Sequence, residues 1–406
     1  MSVSEIHIGL QFEEAVISVG RLATLNHQIY FEYGANFLKT QLQLSPFELP
    51  LTPGLKTISR TIFEGLPGVF NDSLPDGWGR LLLDRLMRSR NVLPNQLSPL
   101  DRLAHVGLNG MGALIYQPTS QENNIVAKTL DEYALHSAHI LSGSPDELLP
   151  TLVTLNGSSG GARPKIMVSV DDKKKKIICG ADAKLQQWLV KFSNTQDGVD
   201  AGAIEYVYSL MAKKAGVEMT DTHLFPSKNN AGFFGTKRFD REYQKRFHMH
   251  TVAGLLNLDF RTATLDYRDL LIVAEKLTKS ITEVEKLFHQ AVFNVLSNNG
   301  DDHLKNFSFL MNENGKWYLS PAYDVTFSFG PSGEQTTTVL GKGKGISVQD
   351  LMQLGLQAKL SHSCVKAIIE KTCTALSQWK TLAKKYGVSK ENNQIILRCI
   401  EQRLSQ

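Results

Sequence analysis

Along the first 37 residues apolar and polar positions alternate in three stretches: Ile6, Ile8 and Leu10, then Val16 to Leu22, then Ile29 to Tyr33. A period of two sends one side of each stretch into a core, so the chain is predicted to open with a small antiparallel sheet. The pattern then changes. Ser73-Leu-Pro-Asp-Gly-Trp-Gly-Arg80 leads into Leu81, Leu82, Asp84, Arg85, Leu86 and Met87, whose spacing suits an amphipathic helix that Asp76 is expected to cap. Pro94, Pro99, Gly107, Gly110 and Gly112 punctuate a short helical stretch, and the polar segment Gln117 to Asn124 is read as a domain boundary.

After that boundary Leu130 to Leu141 is helical in pattern, and Thr151 to Ala162 is the stretch richest in Gly and Ser. Strands are predicted at Ile166 to Val170 and Ile177 to Gly180, flanking a charged run, Asp171 to Lys176, read as a solvated hairpin tip. In Gln187 to Phe192, Lys191 shares a strand face with Leu189, while Trp188, Val190 and Phe192 take the other. Ala203 to Ala215 reads as a helix carrying Glu205, and Gly232 to Asp240 as a strand containing Phe233, Phe234 and Phe239. Helical spacing dominates afterwards, over Leu265 to Leu277, Glu283 to Leu296 and much of 348 to 403. Two segments interrupt it, the loop at Asp301 and a Gly-rich, mobile-looking stretch from Gly330 to Gly345. The predicted class is α+β, with a small N-terminal α+β subdomain over residues 1–120, a mixed α/β lobe over 121–240 and an all-α C-terminal lobe over 241–406.

Composition narrows the function classes. With 406 residues, 42% hydrophobic and 21% charged, this is ordinary globular material for two or three units. A net charge of +4 suits an anionic ligand but is too mild to argue direct nucleic-acid binding. Cys179, Cys364, Cys373 and Cys399 form no CxxC pair, which argues against a zinc site or a disulfide framework and fits a reducing compartment. Neither a signal peptide nor an apolar run of about 18 residues is visible, so a cytoplasmic location without a membrane partner is expected. The eleven histidines are scattered, and His248 and His250, the close pair, are read as a surface feature.

Candidate chemistry lies in the last third of the chain. Asp301-Asp-His-Leu-Lys-Asn306 is followed, eighteen positions on, by Asp324. In protein kinases a loop Asp accepts the proton of the hydroxyl nucleophile, while a downstream Asn and a second Asp hold magnesium, which prefers hard oxygen ligands. Asp301, Asn306 and Asp324 suit those roles, with Asp324 expected at a strand end. The bland alternative is an acidic Asn-Gly-Asp turn. His303 offers either a metal ligand or a brace for the loop. Upstream, Gly157, Ser158, Ser159, Gly160, Gly161 and Ala162 form a Gly-rich loop whose backbone N–H groups can cradle phosphates, although no Walker ending follows. Lys191 is a candidate for the α- and β-phosphates, with Glu205 as its helical partner. No Gly-x-Ser-x-Gly elbow, HExxH helix or Rossmann fingerprint competes.

In order, Ser158 to Lys165, Trp188 to Phe192, Lys237 to Asp240, Asp301 to Phe307 and Pro321 to Val325 resemble the HipA family of serine/threonine-kinase toxins, over nearly the whole chain. The resemblance implies a kinase-like bilobal fold using ATP and Mg2+, with Asp301 as catalytic base, Asn306 and Asp324 as magnesium ligands, Lys191 as the nucleotide lysine and Glu205 as its partner. It also implies that Lys237, Arg238 and Phe239 contact adenine and that Ser158, or Ser159 beside it, is autophosphorylated to switch the kinase off. Arg163-Pro164 stands where members often carry a Gln-containing pair. The implied partners are a helix-turn-helix antitoxin, operator DNA reached mainly through it, and a protein substrate such as an aminoacyl-tRNA synthetase. A catalytically weak corepressor and a small-molecule phosphotransferase are the alternatives.

Overall fold

The structure, a computed structural model, describes residues 3–120, 125–174, 176–182, 184–194, 197–262 and 265–405. Its contacts divide the chain into two compact units: Met1–Gln196 with Lys237–Asp259 and Leu310–Lys316, and Asp197–Thr236 with Phe260–Phe309 and Trp317–Gln406. Neither unit is one continuous segment, so the sequence divisions at 120 and 240 describe stretches of chain rather than these units. Residues 121–124 of the expected connector lie outside the described residues.

The first unit opens with the predicted sheet. Strands β1 (Glu5–Gln11), β2 (Val16–Leu25) and β3 (Gln28–Tyr33) pair antiparallel in succession and bury Ile6, Ile8, Leu10, Val19, Leu22 and Phe31. Asn26 and His27 form the β2–β3 turn with φ of 50° and 61°, the left-handed geometry whose twist matches the flanking strands. Helices α1 (Gly68–Asn71), α2 (Gly77–Ser89) and α3 (Pro99–Val106) follow. Strand β4 (Leu114–Gln117) then returns to β1, giving the order β3-β2-β1-β4. Periodicity missed β4 because Leu114, Ile115 and Tyr116 are all buried and show no alternation.

Helix α4 (Leu130–Leu141) coincides with its expected span, and it starts where Thr129 and Glu132 exchange hydrogen bonds in a capping box. Helix α5 (Leu149–Asn156) takes up the first half of the Gly- and Ser-rich stretch, and only Gly157 ends it, at φ 56°. Strands β5 (Lys165–Val170), β6 (Ile177–Cys179) and β7 (Gln186–Lys191) form an antiparallel arrangement with β5 in the middle.

Helix α6 (Ala201–Ala215) and the hairpin β8 (Thr222–Phe225) and β9 (Phe233–Lys237) come next. The first unit is completed by the short strands β10 (Arg241–Glu242), β11 (Lys245–Arg246) and β12 (His248–Thr251) and by α7 (Val252–Leu255). Strand β13 (Ser308–Met311) is divided after Phe309, its first two residues in the second unit and its last two in the first. The second unit continues through α8 (Tyr267–Thr278), α9 (Ile281–Leu296), β14 (Trp317–Leu319), α10 (Val348–Gln357), α11 (His362–Leu376), α12 (Trp379–Lys385) and α13 (Lys390–Leu404). At its centre Tyr208 of α6 meets Phe293 and Trp379 edge-on, with centroids 6.3 and 5.6 Å away, and the Tyr208 hydroxyl donates to the Ser297 carbonyl at 2.7 Å. No helix among the described residues is long and apolar enough to cross a membrane.

His248 and His250 are not surface residues. Both are fully buried, with His248 Nε2 bonded to the Leu44 carbonyl at 2.9 Å, and His250 held between Asp72 at 2.6 Å and Ser45 at 2.9 Å. Burial lowers the His248 pKa to about 3, so that ring is folded in its neutral form. Alternation alone cannot say which face of a short strand is inward.

A second buried network centres on Asp240. Arg238 grips both carboxylate oxygens at 2.9 and 2.7 Å, Arg241 Nη1 adds a bond at 2.8 Å, and the Gly112 N–H donates at 2.7 Å. Burial pushes this carboxyl up, and the two guanidiniums more than offset it, holding the group well below the usual carboxylate range. Asp240→Ala leaves two arginines buried without their anion and is expected to destabilise the first unit by about 3 to 5 kcal/mol, read as a lowered urea midpoint.

Candidate active site

The loop after α9 is built to hold one shape. Asn306 ends a single 3-10 turn, Leu304–Asn306, its backbone N–H donating to the His303 carbonyl at 2.8 Å. Its side-chain Nδ2 donates to the Asp301 carbonyl at 2.8 Å, closing the loop on itself. With the nitrogen so engaged, the carboxamide oxygen is the atom left with ligand character, and it is a hard oxygen of the kind magnesium prefers. Asn306 is buried while Asp301 is exposed.

Asp324 belongs to the same neighbourhood. Tyr323 beside it donates to the Lys305 carbonyl at 2.5 Å and bonds the Ser308 hydroxyl at 2.5 Å, and Gly300 N–H donates to the Ser328 carbonyl at 2.9 Å. Asp324 itself has φ 52°. It therefore sits not in a strand but in a left-handed turn five residues beyond β14, a conformation Asp tolerates and functional sites often hold.

What fixes this region from below is Asp302, fully buried and absent from the expected site. Its carboxylate accepts from Tyr267 at 2.5 Å, from Gln335 Nε2 at 2.8 Å and from the Thr337 N–H at 3.0 Å. Asn294 donates to Tyr267 at 3.0 Å, and Gln335 also donates to the Asn299 carbonyl at 2.7 Å. Gln335 and Thr337 lie in the Gly-rich segment expected to be mobile, yet both are buried and bonded under the loop. Glycine content conceals such anchors, because the donors that matter are two residues in sixteen. Burial raises the Asp302 pKa from 3.8 to about 7, with the three donors pulling the other way.

His303 braces the loop through its carbonyl and rests against the Phe260 ring, with centroids 4.7 Å apart. Its buried Nδ1 has no hydrogen-bond partner among the described residues, a position normally completed by water or a ligand. Elsewhere in the second unit Glu205 is buried on α6.

In the first unit the Gly-rich loop lies tucked in. Ser158 Oγ accepts from the Met111 N–H at 2.8 Å, and Ser159 Oγ donates to the Asn156 carbonyl at 2.9 Å, so both hydroxyls are buried and engaged. Asp76 does not cap α2 with its side chain. Its carboxylate accepts instead from Gly161 N–H at 2.5 Å, while the Trp78 N–H donates to the Gly161 carbonyl at 3.0 Å. A Cβ at Gly77 would stand 2.5 Å from that carbonyl, so only glycine allows this approach. Ala162 is exposed.

The strand register then places Lys165 directly opposite Lys191 across β5 and β7, and both side chains are buried. The Lys165 ammonium donates to the Gly160 carbonyl, which links the lysine pair to the loop. Like charges directly opposite are unfavourable in a sheet unless electronegative groups stand near them. Such a pair fits an anion such as a phosphate chain. The Lys165–Lys191 pairing escaped notice because register is invisible in a single strand's pattern. In the Lys237 to Phe239 segment the Arg238 guanidinium is committed to Asp240, Gln187 at 3.2 Å and Met167. Its backbone N–H is engaged as well, donating to the Gln187 carbonyl at 2.9 Å. Lys237 and Phe239 are half-buried.

Residues 157–380 match the family model of the HipA-like C-terminal domain, and residues 15–117 that of the HipA N-terminal domain. The chain belongs to the HipA family. Among curated proteins, the candidate kinase Y4dM of Sinorhizobium fredii is 26% identical over 321 residues, covering 74% of this chain and 73% of that protein. The HipA of Shewanella oneidensis MR-1, solved with HipB and operator DNA, superposes with a TM-score of 0.69 at 16% identity, covering 98% of this chain and 96% of that one. The expected HipA fold is thus present. The Helicobacter pylori proinflammatory kinase CtkA matches 54% of the chain and 87% of its own at 14% identity, with a TM-score of 0.39 that carries no structural argument.

For this HipA-family chain the raised Asp302 pKa has a defined sign. The folded protein keeps a proton that the unfolded chain releases near pH 4, so the associated stabilisation is complete below that pH and is lost as pH rises through about 7. Urea unfolding at several pH values between 5 and 8 should show stability falling by up to about 1.4 kcal/mol per pH unit. Asp302→Asn should remove that slope.

Proposed function

We propose that this chain is a toxin of the HipA type and acts as a serine/threonine protein kinase, transferring the γ-phosphoryl group of ATP to a serine hydroxyl of another protein. The observation that carries this reading is the closed loop, in which Asn306 Nδ2 is spent on the Asp301 carbonyl and Tyr323 ties the same loop to the Asp324 turn. Asp301 takes the proton of the attacking hydroxyl as its oxygen bonds to the γ-phosphorus and the bond to the β,γ-bridging oxygen breaks, releasing ADP. The Asn306 oxygen and the Asp324 carboxylate would hold magnesium. Bound there, the ion would neutralise charge on the phosphate oxygens. Lys191 and Lys165 would hold phosphate oxygens.

The Gly-rich loop is the proposed switch. Ser158 and Ser159 are buried and bonded, so a phosphate of about −1.5 to −2 charges cannot form on either without the loop leaving its place. Autophosphorylation would hold the loop out, drawn to Arg163 or Lys165, and lower ATP affinity. A translation component such as an aminoacyl-tRNA synthetase is the proposed substrate class, with growth arrest as the outcome in the cytoplasm. By analogy with the Shewanella complex, the proposed partner is a helix-turn-helix antitoxin that carries the toxin to operator DNA.

Incubation with labelled ATP, magnesium and a cell lysate should label protein, and Asp301→Asn should reduce labelling by about 10² to 10⁴-fold while ATP still binds. Intact mass of the same samples should show one added phosphate, lost in Ser158→Ala or Ser159→Ala and absent from Asp301→Asn. Expression without the neighbouring gene should arrest growth with wild type alone. Undiminished labelling by the Asp301 variant removes the kinase assignment, whereas equal harmlessness of both chains favours a corepressor.

A further inference from the structure

Away from the loops above, α4 and the turn that follows it bring three ligand atoms together. His136 and His139 lie three residues apart, on one side of the helix. Asp146 reaches back beneath them, with its Oδ2 at 2.8 Å from His136 Nδ1 and 3.5 Å from His139 Nδ1. All three candidate ligand atoms lie within 4.8 Å of one another. The two imidazole rings meet edge to face, 6.0 Å apart between centroids.

We propose that His136, His139 and Asp146 form a binding site for a divalent transition metal, Zn2+ in the first instance. Zinc takes nitrogen at about 2.0 to 2.1 Å and carboxylate oxygen at about 2.0 to 2.2 Å, so neighbouring ligands of a tetrahedral ion stand roughly 3.3 Å apart. The His139 to Asp146 separation is already near that value, and the His136 contact opens by about half an ångström to match it.

Two features distinguish the cluster from an ordinary surface ion pair. One carboxylate serves two imidazoles, with His136 Nδ1 at 2.8 Å from Oδ2 and 3.0 Å from Oδ1, and His139 Nδ1 at 3.5 Å from the same Oδ2. The carboxylate is also held from behind, since its Oδ1 accepts from the Leu148 N–H at 2.8 Å and its side chain is only 3% exposed. Metal sites use such outer bonds to orient their ligands. The last turns of α4, whose carbonyl ends carry negative partial charge, also favour a cation. His139 is 51% exposed, so an ion has access and a fourth position stays open to water.

The site has a structural consequence. Leu148 precedes α5, and α5 ends at Gly157, where the Gly-rich loop begins. A bound ion would clasp the end of α4 to the start of α5. Cysteine spacing does not bear on this group, and a carboxylate seven residues past the second histidine is outside the usual spacing motifs.

The test uses the full chain, freed of metal by a chelator, and Zn2+ alone. Calorimetric titration should show one equivalent bound with a rise in melting temperature. His139→Gln, which alters an exposed side chain, should fold normally and weaken binding about 10-fold or more. Asp146→Asn, which keeps an oxygen for Leu148, should do the same. Co2+ in place of zinc should give the visible bands of a tetrahedral nitrogen and oxygen site. Absence of binding, equal affinity in all three proteins, or a sulfur-to-cobalt charge-transfer band would overturn the proposal.

Discussion

Two lysines buried face to face on neighbouring strands, Lys165 and Lys191, set the condition the rest of the first unit answers to. Register puts them opposite each other, and burial removes much of the water that would screen them. In the proposed function the phosphate oxygens of the nucleotide would lie against this pair. The Gly-rich loop runs directly into Lys165, whose ammonium holds the Gly160 carbonyl, so loop position and lysine position are one variable. Asp76 lies against the same loop through Gly161, an anion already seated on a backbone N–H.

The second unit meets a different demand with the same economy. In the proposed kinase the loop would present an exposed base and a fixed metal ligand within a few residues, and five positions separate Asp301 from Asn306. Bonds within the loop fix Asn306. Bonds beneath it fix Asp302, through a tyrosine, a glutamine and a backbone N–H that converge from distant parts of the chain. All three donors to Asp302 are engaged, while the buried Gln335 Oε1 has no hydrogen-bond partner among the described residues.

How much of this was legible depended on whether the signal was local. Helix α4, the three opening strands and α6 follow from side-chain periodicity, and the Asp301, Asn306 and Asp324 spacing is itself a local pattern. The family assignment rests on that order of motifs and is matched by both domain models. Strand β4 was missed because full burial erases alternation, and His248 and His250 were misjudged because a short strand does not declare its inner face. Lys165 opposite Lys191, Gln335 beneath Asp302 and Asp76 on Gly161 are pairings across 26, 33 and 85 residues. No single-sequence pattern encodes them.

The most direct measurement is the affinity for ATP in the presence of magnesium, compared between wild type, Lys165→Met and Lys191→Met, with folding checked by circular dichroism. Methionine approximates the apolar stem of each lysine and removes the ammonium, its charge and its N–H donors. If both ammoniums hold phosphate oxygens, each substitution removes a charge-assisted bond of about 1.5 to 3 kcal/mol and weakens binding by roughly 10 to 100-fold. Folded variants that bind ATP as tightly as wild type would contradict the account, and the buried lysine pair would then have no nucleotide to answer to.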